Sequence, residues 1–79
     1  MKATVSFDAQ DVHDAVTRAL SYARVCDIAV AAVRANRNST LAYSVTVEVE
    51  STIAEALALY ERRIGGLITV TNFVAYEEW

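Results

Sequence analysis

The residues of this 79-residue chain that could do chemistry are few and poorly spaced for it. A hydrolytic or acyl-transfer centre needs a hydroxyl or thiol beside a base that takes its proton. Ser6, Ser21, Ser39, Ser44 and Ser51 supply hydroxyls, but none is placed by the sequence to meet His13, the single histidine. His13 stands between Asp11 and Asp14 on the polar side of an expected helix, where a solvated imidazole is a simpler reading than a metal ligand or a general base. Cys26, the only cysteine, rules out an internal disulfide and reads as a small hydrophobe at the entry to a strand. Gly65-Gly66 makes no glycine-rich phosphate loop and reads as a left-handed helix stop. No catalytic residue, metal ligand or cofactor is assigned, and the expectation is a protein that is not an enzyme.

Charge narrows the partners. Seven basic residues against ten acidic ones leave a net charge of −3, whereas a nucleic-acid surface needs a basic stripe to offset phosphate repulsion. Arg34 and Arg37 flank a connector, and Arg62 and Arg63 sit where cations favour a helix C-terminus. The acidic residues Asp8, Asp11, Asp14, Glu48, Glu50, Glu77 and Glu78 read as ordinary solvated faces or, alternatively, as a phosphate-mimicking surface. The second reading would make the chain a small acidic inhibitor, of the kind phages encode, acting on a nucleic-acid-handling complex. Hydrophobic residues make up 54% of the chain, yet no apolar run approaches the roughly 20 residues that cross a bilayer. The N-terminus shows no basic segment followed by an apolar one and a cleavage site, so a cytoplasmic protein without membrane contact is expected.

The elements that must position these residues form one domain over 1–79, too small to bury a generous core. Ala3, Val5 and Phe7 alternate with Lys2, Thr4 and Ser6, which predicts a half-buried strand, and Asp8 reads as the cap of the helix that follows. From residue 9 to about 24, Val12, Ala15, Val16, Ala19, Leu20 and Ala23 recur at three and four, giving one buried stripe, with Asp14 and Arg18 paired on the outer side. A second strand is expected over 28–34, and the polar segment 35–40 closes a hairpin with a third over 41–50. Leu41, Tyr43, Val45, Val47 and Val49 give that third strand its core face. Thr52 and Glu55 fit a capping box for a second helix, with Ile53, Leu57, Tyr60 and Ile64 as its stripe. Leu59 falls about 130° off that stripe. The last strand runs from 67 to 76, with Ile68 and Val70 on one face, and its pattern blurs at Thr71-Asn72-Phe73, which predicts a bulge near Asn72. Trp79 is either a frayed end or an anchor on the sheet.

Strand, helix, strand, strand, helix, strand is the order of an α+β, ferredoxin-like βαββαβ domain: a four-stranded antiparallel sheet, both helices on one face, first and third strands central. The second strand would then lie at an edge while Ile28, Ala29, Val30, Ala31, Ala32 and Val33 are apolar on both alternating faces. Such an edge invites association unless it is covered, so 28–33 is expected to be an interface, with a second copy paired across a two-fold axis.

The element order, together with Phe7-Asp8-Ala9-Gln10-Asp11-Val12 leading into a helix that carries Arg18, resembles the ACT domain, and within that family the small regulatory subunits of acetolactate synthase. The resemblance implies a regulatory or adaptor module that dimerises through its sheet or helices and binds a larger protein. It also implies an amino-acid effector held at the junction of first strand and first helix, where Asp8, Gln10 and Asp11 fall, at a helix N-terminus whose free amides suit a carboxylate. One departure stands out: amino-acid sensors of that family usually carry a glycine at this turn, and this chain has Asp11 there, with a second acid nearby to repel an incoming carboxylate.

Overall fold

Alternation carries the first strand further than expected, because Ala9 continues the buried phase of Ala3, Val5 and Phe7. The computed structural model describes residues 1–39, 42–67 and 70–78. Its elements are β1 (Lys2–Ala9), α1 (Val12–Val25), β2 (Ala29–Arg37), β3 (Tyr43–Glu50), α2 (Ala54–Gly65) and β4 (Val70–Glu78). The expected positions of Leu41, Ile68 and Trp79 lie outside the described residues.

The four strands form one antiparallel sheet in the order β2-β3-β1-β4, so the ferredoxin-like topology and its central first and third strands are as the sequence predicts. One face of the sheet is dry. Val5, Phe7, Val45, Val47 and Val49 meet Ala15, Ala19 and Ala23 of α1 and Leu57, Tyr60 and Ile64 of α2 in a single core. The small alanine stripe lets α1 approach closely, and the fully buried Tyr60 fills the space between the helices, its hydroxyl donating to the Ala19 carbonyl at 3.0 Å. Burial pushes that hydroxyl up to about 12, so it remains a donor. Leu20 and Ile53, placed by the sequence on the buried stripes, are exposed instead, and Leu59 is exposed as its angle predicts. The open face carries the polar set, with Ser6 and Thr46 hydrogen-bonded at 3.2 Å and Arg34 paired with Glu48 at 3.5 Å.

The faces of 28–33 do not alternate residue by residue as the sequence reading has them. The register between β2 and β3 shifts between Val30 and Ala32, leaving Ala31 as a bulge. Val30 opposes Val49 and Val33 opposes Val47, so residues three apart share the helix-side face, while Ala32 and Arg34 turn to the open face. Both valines thus fall on one face around one inserted residue, and from this segment the open face receives only the alanines Ala29 and Ala32. Of the segment only Ile28 is buried, and Val30 and Val33 keep 38% and 37% of their surface.

Helix ends also depart from the sequence reading. Asp8 is not a cap, since β1 consumes it; Asp11 caps α1, accepting from the Asp14 amide at 3.0 Å. The Thr52 and Glu55 capping box does not form: the cap position of α2 is Ile53, with no side-chain bond, and Ser51 Oγ instead accepts from the Ile53 amide. Gly65-Gly66 makes no left-handed stop, because Gly66 is right-handed at φ −86°. The left-handed stop lies on α1, where Asp27 has φ 57°. There the Ile28 amide reaches back to the Ala23 carbonyl and the Asp27 amide to that of Arg24, a Schellman motif closed by the contact of Ile28 with the core. Gly65 has a different use, since a Cβ there would lie 3.1 Å from the Phe73 ring.

Candidate functional site

The junction of β1 and α1, where the sequence gathers Asp8, Gln10 and Asp11, divides in the structure. Phe7 and Ala9 point into the core, so Asp8 stands on the open face opposite Ser44. Its carboxylate is held from three elements. Oδ1 accepts from Asn38 Nδ2 at 3.3 Å and from Ser44 Oγ at 3.1 Å, and Oδ2 accepts from Asn72 Nδ2 at 2.8 Å. Asn38 Nδ2 also donates to Ser44 Oγ at 2.8 Å. The cluster pins the β2–β3 hairpin and β4 to the end of β1, a half-buried carboxylate answered by neutral donors. Asn72 reaches it from the bulge predicted at that position, where φ is 53° and the register between β1 and β4 shifts.

Asp11 has turned the other way, onto the N-terminus of α1. The sequence reading of that terminus as bare is therefore corrected: a side-chain carboxylate already meets the amide of Asp14 and the positive end of the helix dipole. Gln10 is exposed beside it, with no partner in common with Asp8 or Asp11. What this junction leaves to a ligand is the exposed Gln10 amide beside the capping Asp11 carboxylate, with Asp8 engaged on the open face, a setting that suits an ammonium group better than a carboxylate.

Asn38, Ser44 and Asn72 were not singled out as site residues by the sequence. Ser44 was visible as part of a polar face and Asn72 as a bulge, but their convergence on Asp8 joins positions 36 and 64 residues apart in sequence. The seven acids that could mimic phosphate do not gather either. Asp8, Glu48, Glu50 and Glu78 share the open face, with Glu48 and Glu50 paired to Arg34 and Lys2. Asp11 caps α1, Asp14 is paired with Arg18 at 3.0 Å, and Glu77, opposite buried Ala3, faces the helices. The surface needed for an acidic inhibitor is not assembled.

Other chemistry-bearing residues stay apart. His13 is exposed, Cys26 is half-buried against the core, and among the described residues no group of three His, Cys, Asp or Glu could hold a metal ion. A cavity of about 410 Å³ opens at the far end of the sheet from Asp8, between Met1, Lys2 and Asp27 on one side and Glu50, Ser51 and Ile53 on the other. It is not where the ACT resemblance places an effector. Among the described residues no helix is long and apolar enough to cross a membrane.

No protein-family model matches the chain. No curated protein matches it either. Solved structures do match in fold. The ACT domain of a GTP pyrophosphokinase from Chlorobium tepidum superimposes with a TM-score of 0.74 at 8% identity, over 96% of this chain and 97% of that one. An ACT domain protein from Streptococcus pneumoniae gives 0.74 at 11% identity, over 96% and 88%. The de novo designed protein Foldit4 gives 0.74 at 15% identity, over 99% and 97%. The ACT-like architecture expected from the sequence is present; none of these three is a subunit of acetolactate synthase. At such identities the likeness is one of fold, and the designed chain makes the same point, since the architecture is reached there without inherited activity.

Proposed function

We propose that this chain, whose fold is that of ACT domains, is a cytoplasmic, non-catalytic regulatory or adaptor module that pairs with a second copy and binds a larger protein. One observation carries the reading: β2 ends the sheet with no neighbour on its outer side among the described strands, and its first five residues are uncharged. The helix layer leaves that edge apolar. On α1, Tyr22 lies by Arg63 of α2, at 6.0 Å from guanidinium carbon to ring centre. Leu20 is about 160° round the helix from Tyr22, on the side away from α2. α1 packs over β2 and β3, so exposed Leu20 stands on the same flank as exposed Val30 and Val33. A second β2 laid antiparallel would satisfy the bare backbone and cover these side chains. It would also bring the Arg34 and Arg37 end of each strand toward the partner's Asp27 end, opposite charges meeting at both rims.

An amino-acid effector belongs, on this reading, at the β1–α1 junction, its ammonium group toward Asp11 and Gln10, with Asp8 held behind them by the asparagine cluster. The test is the solution mass of the purified chain over a concentration series, by sedimentation or light scattering, alone and with a mixture of the common amino acids. The expected result is a dimer that tightens with one amino acid, and that Val33→Lys converts to a folded monomer. A wild-type monomer at high concentration would remove the pairing, and indifference to every amino acid would remove the effector.

A further inference from the structure

Four side chains from four segments converge at one end of the open face, and each of them carries an oxygen of the kind that hard cations take as ligands. Asp8 comes from β1, Asn38 from the residue after β2, Ser44 from β3 and Asn72 from the bulge in β4. Asn72 holds a left-handed backbone there, at φ 53°. The Asp8 carboxylate at their centre has no ion pair among the described residues. The cations of the open face and the hairpin are engaged elsewhere. Arg34 is paired with Glu48, Lys2 with Glu50, and Arg37 lies 5.7 Å from the centre of the Tyr43 ring. A formal negative charge is thus surrounded by neutral dipoles alone.

The spacing suits a coordination shell. Asn38 Nδ2 lies 2.8 Å from Ser44 Oγ and 3.3 Å from Asp8 Oδ1. Ser44 Oγ lies 3.1 Å from that same carboxylate oxygen, and Asn72 Nδ2 lies 2.8 Å from Asp8 Oδ2. Oxygens that share an ion at about 2.3–2.6 Å stand roughly 3 Å apart. Each asparagine presents its nitrogen here, and a half-turn about its Cβ–Cγ bond puts Oδ1 where Nδ2 stood with little change of shape. Ser44 needs only to rotate its hydroxyl proton outward. Asp8 Oδ1 and Oδ2, Asn38 Oδ1, Ser44 Oγ and Asn72 Oδ1 then face one another. Without a cation between them those negative ends repel, so the amide turns and the binding are one event.

We propose that Asp8, Asn38, Ser44 and Asn72 form a binding site for a divalent hard cation of calcium's size, which replaces the hydrogen bonds of the cluster and clamps the β2–β3 hairpin and β4 to the end of β1. An all-oxygen set without thiolate or imidazole disfavours the softer transition metals. Ligands borne on a hairpin end and a bulge suit calcium, whose coordination is irregular, better than magnesium, which demands a near-ideal octahedron and gives up its waters reluctantly. One formal charge in the set places the affinity at the weak end of calcium sites, about 10⁻⁴–10⁻³ M.

The experiment titrates the full chain with calcium chloride to about 10 mM at constant ionic strength, with magnesium chloride in parallel, and follows backbone and asparagine side-chain amides by NMR. The expected result is saturable shifts confined to Asp8, Asn38, Ser44, Asn72 and their neighbours, the two side-chain amides moving most as they leave the carboxylate. Asp8→Asn keeps the shape and removes the charge, and should weaken binding at least about tenfold. Asn72→Asp adds a second carboxylate: it should lower the Tm of the metal-free chain, bind calcium about tenfold more tightly, and recover that Tm as calcium is added. The site is overturned by a titration that does not saturate, by shifts centred on Glu48, Glu50 and Glu78, by tighter binding of magnesium, or by variants that bind as wild type does. If Asp8→Asn fails to fold, Asn72→Asp carries the test, since calcium itself should restore its stability.

Discussion

Asp8 has a structural task that its neighbours in sequence conceal. Followed by Gln10, Asp11 and an apolar helical stripe it looks like a cap, yet its carboxylate takes bonds from Asn38, Ser44 and Asn72 on three other elements. Asp8→Ala should therefore leave α1 intact and unfasten the hairpin and the start of β4, at a cost of about 2 kcal/mol, the usual scale for hydrogen bonds to a partly buried charge. Urea denaturation gives the loss, and exchange of the 36–44 and 70–72 amides shows where it falls; a loss confined to α1 would restore the cap reading. Of the proposed ligand residues, the sequence located the carboxylates by type and number. It did not reveal that two of them were already engaged, because Asp8 meets its partners only across strands.

Both edge strands show how one inserted residue defeats a reading by alternation. Val30 and Val33 in β2 share a face around Ala31, and Val70 and Phe73 in β4 share a face around Asn72. The second bulge was legible because Asn72 tolerates a left-handed backbone and breaks a visible pattern. The first was not, because in an all-apolar run an extra alanine changes no letter of the pattern. Helix stops follow the same logic. Glycines drew the left-handed position to 65 and 66, whereas the chain uses Asp27, at φ 57°, because Ile28 must turn back onto Ala23 there. Asp27→Gly should raise stability by about 0.5–1 kcal/mol, removing the Cβ strain of a left-handed residue. Thermal unfolding measures it, and a fall in Tm would mean the aspartate side chain holds something its backbone does not show.

At the scale of the whole molecule, proton binding at Glu61 sets a slope of stability with pH. Its folded value, raised from 4.5 to about 7, favours the protonated form. Its contribution is then fully present below about 4.5 and is lost as pH rises through about 7. The unfolding free energy of wild type relative to Glu61→Gln should fall across that window and level off above it; a difference that stays constant, or rises, contradicts the assignment. The sequence by itself determined the element order, the topology of the sheet, the two buried strand faces and the central stripe of each helix. Those follow from periodicity, which each segment carries alone. Only the tertiary structure decided which carboxylate caps α1, where β2 bulges and which stripe residues stay wet. Those depend on distant segments arriving at one place, and burial and strain exist only once they have met.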